Sequence, residues 1–251
     1  MIENQLSSSE NKTLYKLAGF ATLLAMSVNL LDVIFGFGET ELVAYGSRSA
    51  IEWFGIFQTS CFKGLYFLGI FNIIYMGCMI PVYFGILAAH RRTYLMVSLL
   101  ATVIFLLALA VYVANNAAIP MSFLASKYVA ATSEAHKILL AAAGQSILAR
   151  GEDFTPGSFI GLFFSGISAV LISYVMLQGG IFGKANAWIG IVGFTFLTIF
   201  TFLATFVSAI YFVAYYVFGM IGGLLALIWF ILTALKFFKL GQTSKEIGTS
   251  A

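Results

Sequence analysis

Asp32 lies inside a long apolar run, 14–37, where a carboxylate can hold a proton, bind a cation or pair with a lysine. It stands about 18 residues into that run, roughly 27 Å from the inner end if the run is helical, and so near the outer boundary of a membrane. Asn29 falls one turn below it on the same face. Lys63 enters a second apolar run at similar depth, Asn72 follows about two turns later, and Asn115 and Asn116 close a third run. The polar residues of the first three runs therefore gather in the outer half. Two uses fit them: an Asp32–Lys63 ion pair tying two helices, or an outward-open polar pocket for a small ligand or lipid. A proton- or sodium-coupled transporter places ionisable groups near the midplane, which these runs do not.

The remaining chemistry is sparse. His90 stands beside the basic pair Arg91-Arg92, and His136 lies in a connecting segment. Neither is expected inside a run, which removes a bis-histidine haem. There is no CxxC, HExxH or P-loop pattern, and Ser165 has no membrane-embedded histidine partner. Cys61 and Cys78 are 17 positions apart on what reads as one helical segment, too far for a disulfide, and are expected to be buried thiols. No catalytic residue, cofactor or metal is therefore expected, and the chain reads as a non-enzyme.

These residues are carried by elements that composition identifies. The 251-residue chain is 61% hydrophobic and 9% charged, with a mean hydropathy of +0.99. Soluble domains carry about 25% charged residues, so this chain cannot cover a water-facing surface. It reads as an integral membrane protein forming a single all-α domain over 1–251. A bilayer core requires about 20 apolar residues per helix. Six runs meet that length: 14–37, 66–89, 94–115, 158–177, 187–209 and 212–235. Ser7, Ser8, Ser9 and Asn11 are candidate N-caps of the first, which is too long to be a cleaved signal peptide. Pro81 should kink the second.

Charge sets the orientation. With the N-terminus inside, the inner side holds Lys12, Lys16, Arg91, Arg92, Lys184, Lys236, Lys239 and Lys245. The outer side then holds Arg48, Lys63, Lys127, Lys137 and Arg150, together with Glu39, Glu41, Glu52, Glu134, Glu152 and Asp153. Short basic loops stay cytoplasmic, which puts both termini inside. The net charge of +3 belongs to this bias, and no basic cluster suits nucleic acid. Segment 117–156 is long for a connection and is expected to form an external helical cap. Pro120 should break the backbone there, and a helix over 133–149 should follow, with Thr132 as N-cap. Arg48, Glu52, Thr59 and Lys63 fall within about 60° of one another at helical spacing, which predicts one amphipathic helix feeding the second span.

Helices in lipid associate through small residues. Gly157, Gly161, Ser165, Ala169 and Ser173 repeat every four positions on span four, Gly219 and Gly223 on span six. Internal packing is the first reading, and a homodimer face through Gly157, Gly161, Ser165 and Ala169 the second. Thr198, Thr201, Thr205 and Ser208 form a hydroxyl stripe expected to bond the preceding turn.

Several segments also form a recognisable set: 112–121 (YVANNAAIPM), 127–132 (KYVAAT), 139–145 (LLAAAGQ), 175–177 (VML), and 182–185 (FGKA) leading into 188–190 (WIG). Together they resemble an uncharacterised bacterial six-span membrane-protein family, a domain-of-unknown-function family, across about 14–235 and most clearly over 112–193. The resemblance implies six spans with an external loop after the third, and it assigns no functional residue. The expectation is a multi-pass protein of a bacterial plasma membrane, binding a small ligand or lipid in its outer half or serving as a partner subunit. The alternative is a transporter component, either a six-span permease or a substrate-binding subunit.

Overall fold

Apolar segments in lipid have no water to satisfy their backbone, so each must bond internally, and helices result. The computed structural model describes residues 2–37 and 48–242. In chain order they form α1 (Ile2–Phe37), α2 (Ala50–Thr59), α3 (Cys61–Phe67), α4 (Ile70–His90), α5 (Leu95–Asn115), α6 (Ala118–Ala130) and α7 (Glu134–Gly151). Then come α8 (Pro156–Gly179), α9 (Lys184–Phe206), a 3₁₀ turn (Ser208–Ile210), α10 (Tyr211–Ala214), a π-helical turn (Tyr215–Met220) and α11 (Ile221–Gln242). Among these residues there is no strand, and six helical stretches are long and apolar enough to cross a membrane. The protein is an all-α, six-span membrane protein.

The spans close into a ring in chain order. α1 packs on α4, α4 on α5, α5 on α8, α8 on α9, α9 on α11, and α11 returns to α1. Large side chains fill the space they enclose: Tyr83, Phe105, Trp229, Phe230 and Phe237 are each at most 2% exposed. Tyr83 stacks on Phe105 with ring centroids 4.2 Å apart, and the Ser168 hydroxyl donates to Ala101 O at 2.7 Å beside it. Met96, Leu107, Val213 and Leu224 face outward, as lipid contact requires.

Small residues set the close approaches. Gly161 backs onto the Tyr112 backbone at the bundle's own α5–α8 contact, Ala169 is buried, and Ser173 is buried facing Gly190 of α9. A side chain at Gly157 would collide with the backbone of Arg150, while Ser165 is half-buried. On the last span the close contact belongs to Gly222, which faces Gly193 of α9, whereas Gly223 meets nothing and Gly219 lies within the π turn. A π turn inserts one extra residue and rotates the following helix, which is why the expected pair lost its phase. The hydroxyls of Thr198, Thr201 and Thr205 each bond the carbonyl four residues back, at 2.7–2.9 Å.

Several boundaries depart from expectation. α1 begins at Ile2, upstream of the serines expected to cap it. Pro120 breaks nothing: it occupies the first turn of α6, where its missing N–H has no intrahelical role. α7 is capped by Ser133, whose hydroxyl accepts from His136 N at 3.3 Å, and not by Thr132. The single amphipathic helix over 48–63 is two helices. Ser60 is extended (φ −156°, ψ 107°), ending α2 and capping α3 through Lys63 N. Cys61 is exposed on α3. His90 is the last residue of α4 and is fully buried against Phe182, with Nδ1 2.9 Å from Ile86 O. Glu39 and Glu41 lie outside the described residues.

At one end of the ring sits a cap with its own core. Trp53, Phe54 and Phe57 of α2 pack with Leu68, Ala118, Met121, Ala125 and Leu148. Gly144 of α7 admits Phe54 and Ala50, and Gln145 Oε1 accepts from Ala50 N at 3.1 Å. The two elements expected separately, 48–63 and 117–156, are thus one structure of four helices.

Candidate functional site

Beneath this cap three chain segments meet at a polar node. Tyr112, in the last turn of α5, donates its hydroxyl to Asp153 Oδ1 at 2.6 Å. Asn72, in the first turn of α4, donates to Asp153 Oδ2 at 2.8 Å. Asn116, just past α5, donates to Leu68 O at 2.9 Å while its Oδ1 accepts from Ala118 N at 2.9 Å. Tyr112, Asn116 and Asp153 are 0%, 5% and 6% exposed, so the Tyr112–Asp153 bond forms without competing water. Both carboxylate oxygens of Asp153 have a donor, which is what a buried carboxylate requires.

The backbone is shaped to admit this node. Gly69, immediately before α4, has φ +83°, and a Cβ there would stand 2.7 Å from the Tyr112 hydroxyl and 3.1 Å from Asp153 Oδ2. Phe154 also takes a left-handed conformation (φ 60°), which costs a non-glycine residue about 1–2 kcal/mol. The loop after α7 holds it there: Thr155 Oγ1 and Ser158 Oγ both donate to Glu152 O, at 2.6 and 2.9 Å. Ala117 N donates to Gly151 O at 3.1 Å, joining this loop to the start of α6. Asn115 points the other way. Its Oδ1 accepts from Arg150 Nε at 2.6 Å and its Nδ2 donates to Gly157 O at 2.9 Å.

Of the residues singled out from sequence, the structure brings Asn72 and Asn116 to one carboxylate-centred node and sets Asn115 beside it. Asn29 instead bonds its own helix, donating to Ala25 O at 3.3 Å. Asp32 is half-buried on α1. The Lys63 ammonium lies 5.9 Å from the Phe67 ring centroid. The node has no nucleophile–base pair, and among the described residues no three His, Cys, Asp or Glu side chains converge as a metal site needs. Its geometry binds helices to one another.

An open groove lies between α2 and α3. It encloses about 530 Å³ and is lined by Arg48, Glu52, Gly55, Ile56, Thr59, Lys63 and Phe67. These include all four members of the charged stripe read from sequence; the break at Ser60 turns the stripe into a concavity. Arg48 lies over both Trp53 and Phe67, 5.4 and 5.7 Å from their centroids. Glu52 is engaged in capping α2. Its carboxylate accepts from Ser49 N and from Ser49 Oγ, bonds that hold its pKa below the usual glutamate value.

Sequence reasoning did not single out Tyr112 or Asp153. Asp153 is one of six outer acids in the linear chain, and its partners lie 41 and 81 positions away. The local signal was the run Gly151-Glu-Asp-Phe-Thr-Pro156, too rich in turn formers and acids for an idle end to α7. Set against protein-family models, curated proteins and solved structures, the chain matches none.

Proposed function

We propose that this is a non-enzymatic multi-pass protein of a bacterial plasma membrane that binds a small ligand or lipid at its outer face. Both termini are cytoplasmic in this reading and the four-helix cap is outside. The groove carries the proposal: it is concave, of ligand size, and lined by cations, an acid and the Phe67 ring. The polar groups of the node are engaged in hydrogen bonds with one another, which directs a ligand to the groove instead. Native mass spectrometry of protein extracted gently from its own membrane should show a retained small molecule or lipid. A bare chain under conditions that preserve the fold would reject the proposal.

Orientation has its own test. Ser126→Cys and Ser146→Cys, both at exposed cap positions, should label from outside intact cells with an impermeant reagent. Labelling only after lysis would reverse the topology. A transporter component is the second reading, favoured by the π turn in the last span, because such turns recur at functional sites. Solute flux in reconstituted vesicles would put it first.

A further inference from the structure

We infer that Phe154 links the cap mechanically to the last span, so that the state of the loop after α7 sets the state of the π-helical turn at Tyr215–Met220. The inference goes beyond both functional readings and needs neither an occupied groove nor a transported solute. The first observation is a pair of neighbouring side chains anchored in different places. Asp153 is held at the node by Tyr112 and Asn72, at 2.6 and 2.8 Å. Phe154, the next residue, sets its ring against Phe200 of α9, with centroids 5.1 Å apart and planes at 65°. The backbone at Phe154 is left-handed (φ 60°), a conformation that glycine or asparagine adopts far more readily than an aromatic residue. Such strain persists where contacts on both sides hold it, and here the carboxylate and the ring supply them.

The second observation is what Phe200 touches. Its ring centroid stands 6.1 Å from that of Tyr211 and 6.0 Å from that of Tyr215, the first residue of the π turn. Phe154, Tyr215 and Phe218 all pack on the small buried cluster built on Phe200 and Tyr211, which is separate from the cores of the bundle and the cap. Gly219, inside the turn, faces the same Phe200 ring, 3.5 Å from where a Cβ would stand. The π turn therefore rests on the residue that Phe154 braces.

The third observation is that the turn has a discrete alternative. The last span begins as a 3₁₀ turn, passes through α10 and the π turn, and becomes regular only at Ile221. A π turn differs from α-helix by one inserted residue, so its loss would rotate α11 by roughly 100° against α10. Gly222 now faces α9, where a Cβ would stand 2.9 Å from Gly193 O, and that close contact belongs to one rotation of α11 alone. Two packings of the span follow, rather than a continuous range. Displacement of Asp153 from the node withdraws Phe154 from Phe200 and releases the turn.

The test is amide exchange of the full chain in nanodiscs, reading 212–220 against 98–108 in the middle of α5. Phe154→Gly and Phe154→Asn both keep the left-handed backbone accessible and remove the ring. Each should speed exchange over 212–220 roughly two- to tenfold, the range that one aromatic pair contributes, and leave 98–108 unchanged. Asp153→Ala should speed the same amides in the wild-type background and add nothing in the Phe154→Gly background. Unchanged exchange over 212–220 in both Phe154 variants would overturn the link. Additive effects of Asp153→Ala and Phe154→Gly would overturn it too, because the node would then reach the turn by another route. An equal rise over 98–108 would reduce Phe154 to a general packing residue and reject the inference as well.

Discussion

Tyr112 and Asp153 meet where water is excluded, so the loss of either partner leaves the other with an unmet polar group. A hydrogen bond to a buried carboxylate contributes about 1.5–3 kcal/mol, more than most single contacts in the bundle. Tyr112→Phe and Asp153→Asn should each lower the thermal midpoint of the purified protein, and a double-mutant cycle should show coupling of about 1 kcal/mol or more. Additive losses would mean that the two groups do not act together. Asp32 has the opposite prospect. Half-buried within a span, its charged form bears a desolvation cost that an amide does not, so Asp32→Asn should raise the melting temperature, and its effect should add independently to that of Lys63→Met. A marked fall on Asp32→Asn, coupled to Lys63, would restore the ion pair that depth along the chain had suggested. Depth was readable from the sequence. Azimuth around the bundle was not, because it depends on how α1 is rotated against α4.

The helices of the cap show how short elements persist beside long ones. α2 and α3 are 10 and 7 residues, below the length at which isolated helices are stable in water, and they rely on caps and on a shared core. In α2 the capping box is complete, with Ser49 and Glu52 each bonding the other's backbone. The backbone N–H of Ser49, then its hydroxyl, favours the ionised glutamate, so the folded pKa lies below the unfolded one. That contribution is present above the ordinary glutamate range and is lost as pH falls through the lowered value. Amide exchange in the first turn of α2, corrected for intrinsic rates, should therefore rise on acidification. Glu52→Gln should exchange faster at neutral pH and lose the dependence; an unchanged profile would show that the cap does not act in solution. The charged stripe over 48–63 was legible as a pattern. The break at Ser60 was not, since a single serine between two apolar stretches looks like any polar helix position until the Lys63 N–H bonds its hydroxyl.

In the whole molecule, six spans joined in chain order close a ring around a filled centre. Gly161 is a sharp probe of that closure. A Cβ there would stand 2.7 Å from Tyr112 Cβ and 3.0 Å from its backbone, so α5 and α8 would have to separate. Gly161→Val should destabilise by about 1–3 kcal/mol, read as a lower thermal midpoint with no change in oligomeric mass. Conversion of a dimer to a monomer at unchanged midpoint would return the stripe to a subunit interface. Hydropathy and length alone determined the six spans, because a bilayer leaves an apolar run of that length no alternative to a helix. The breaks at Pro156 and Gly180 are equally local. Tertiary structure decided what local pattern could not: that Asp153, an outer acid by sequence, is buried between Tyr112 and Asn72, and that four short helices form one cap. Each of those facts joins residues tens of positions apart, and such pairings depend on helix rotation and register, which burial and backbone geometry set together.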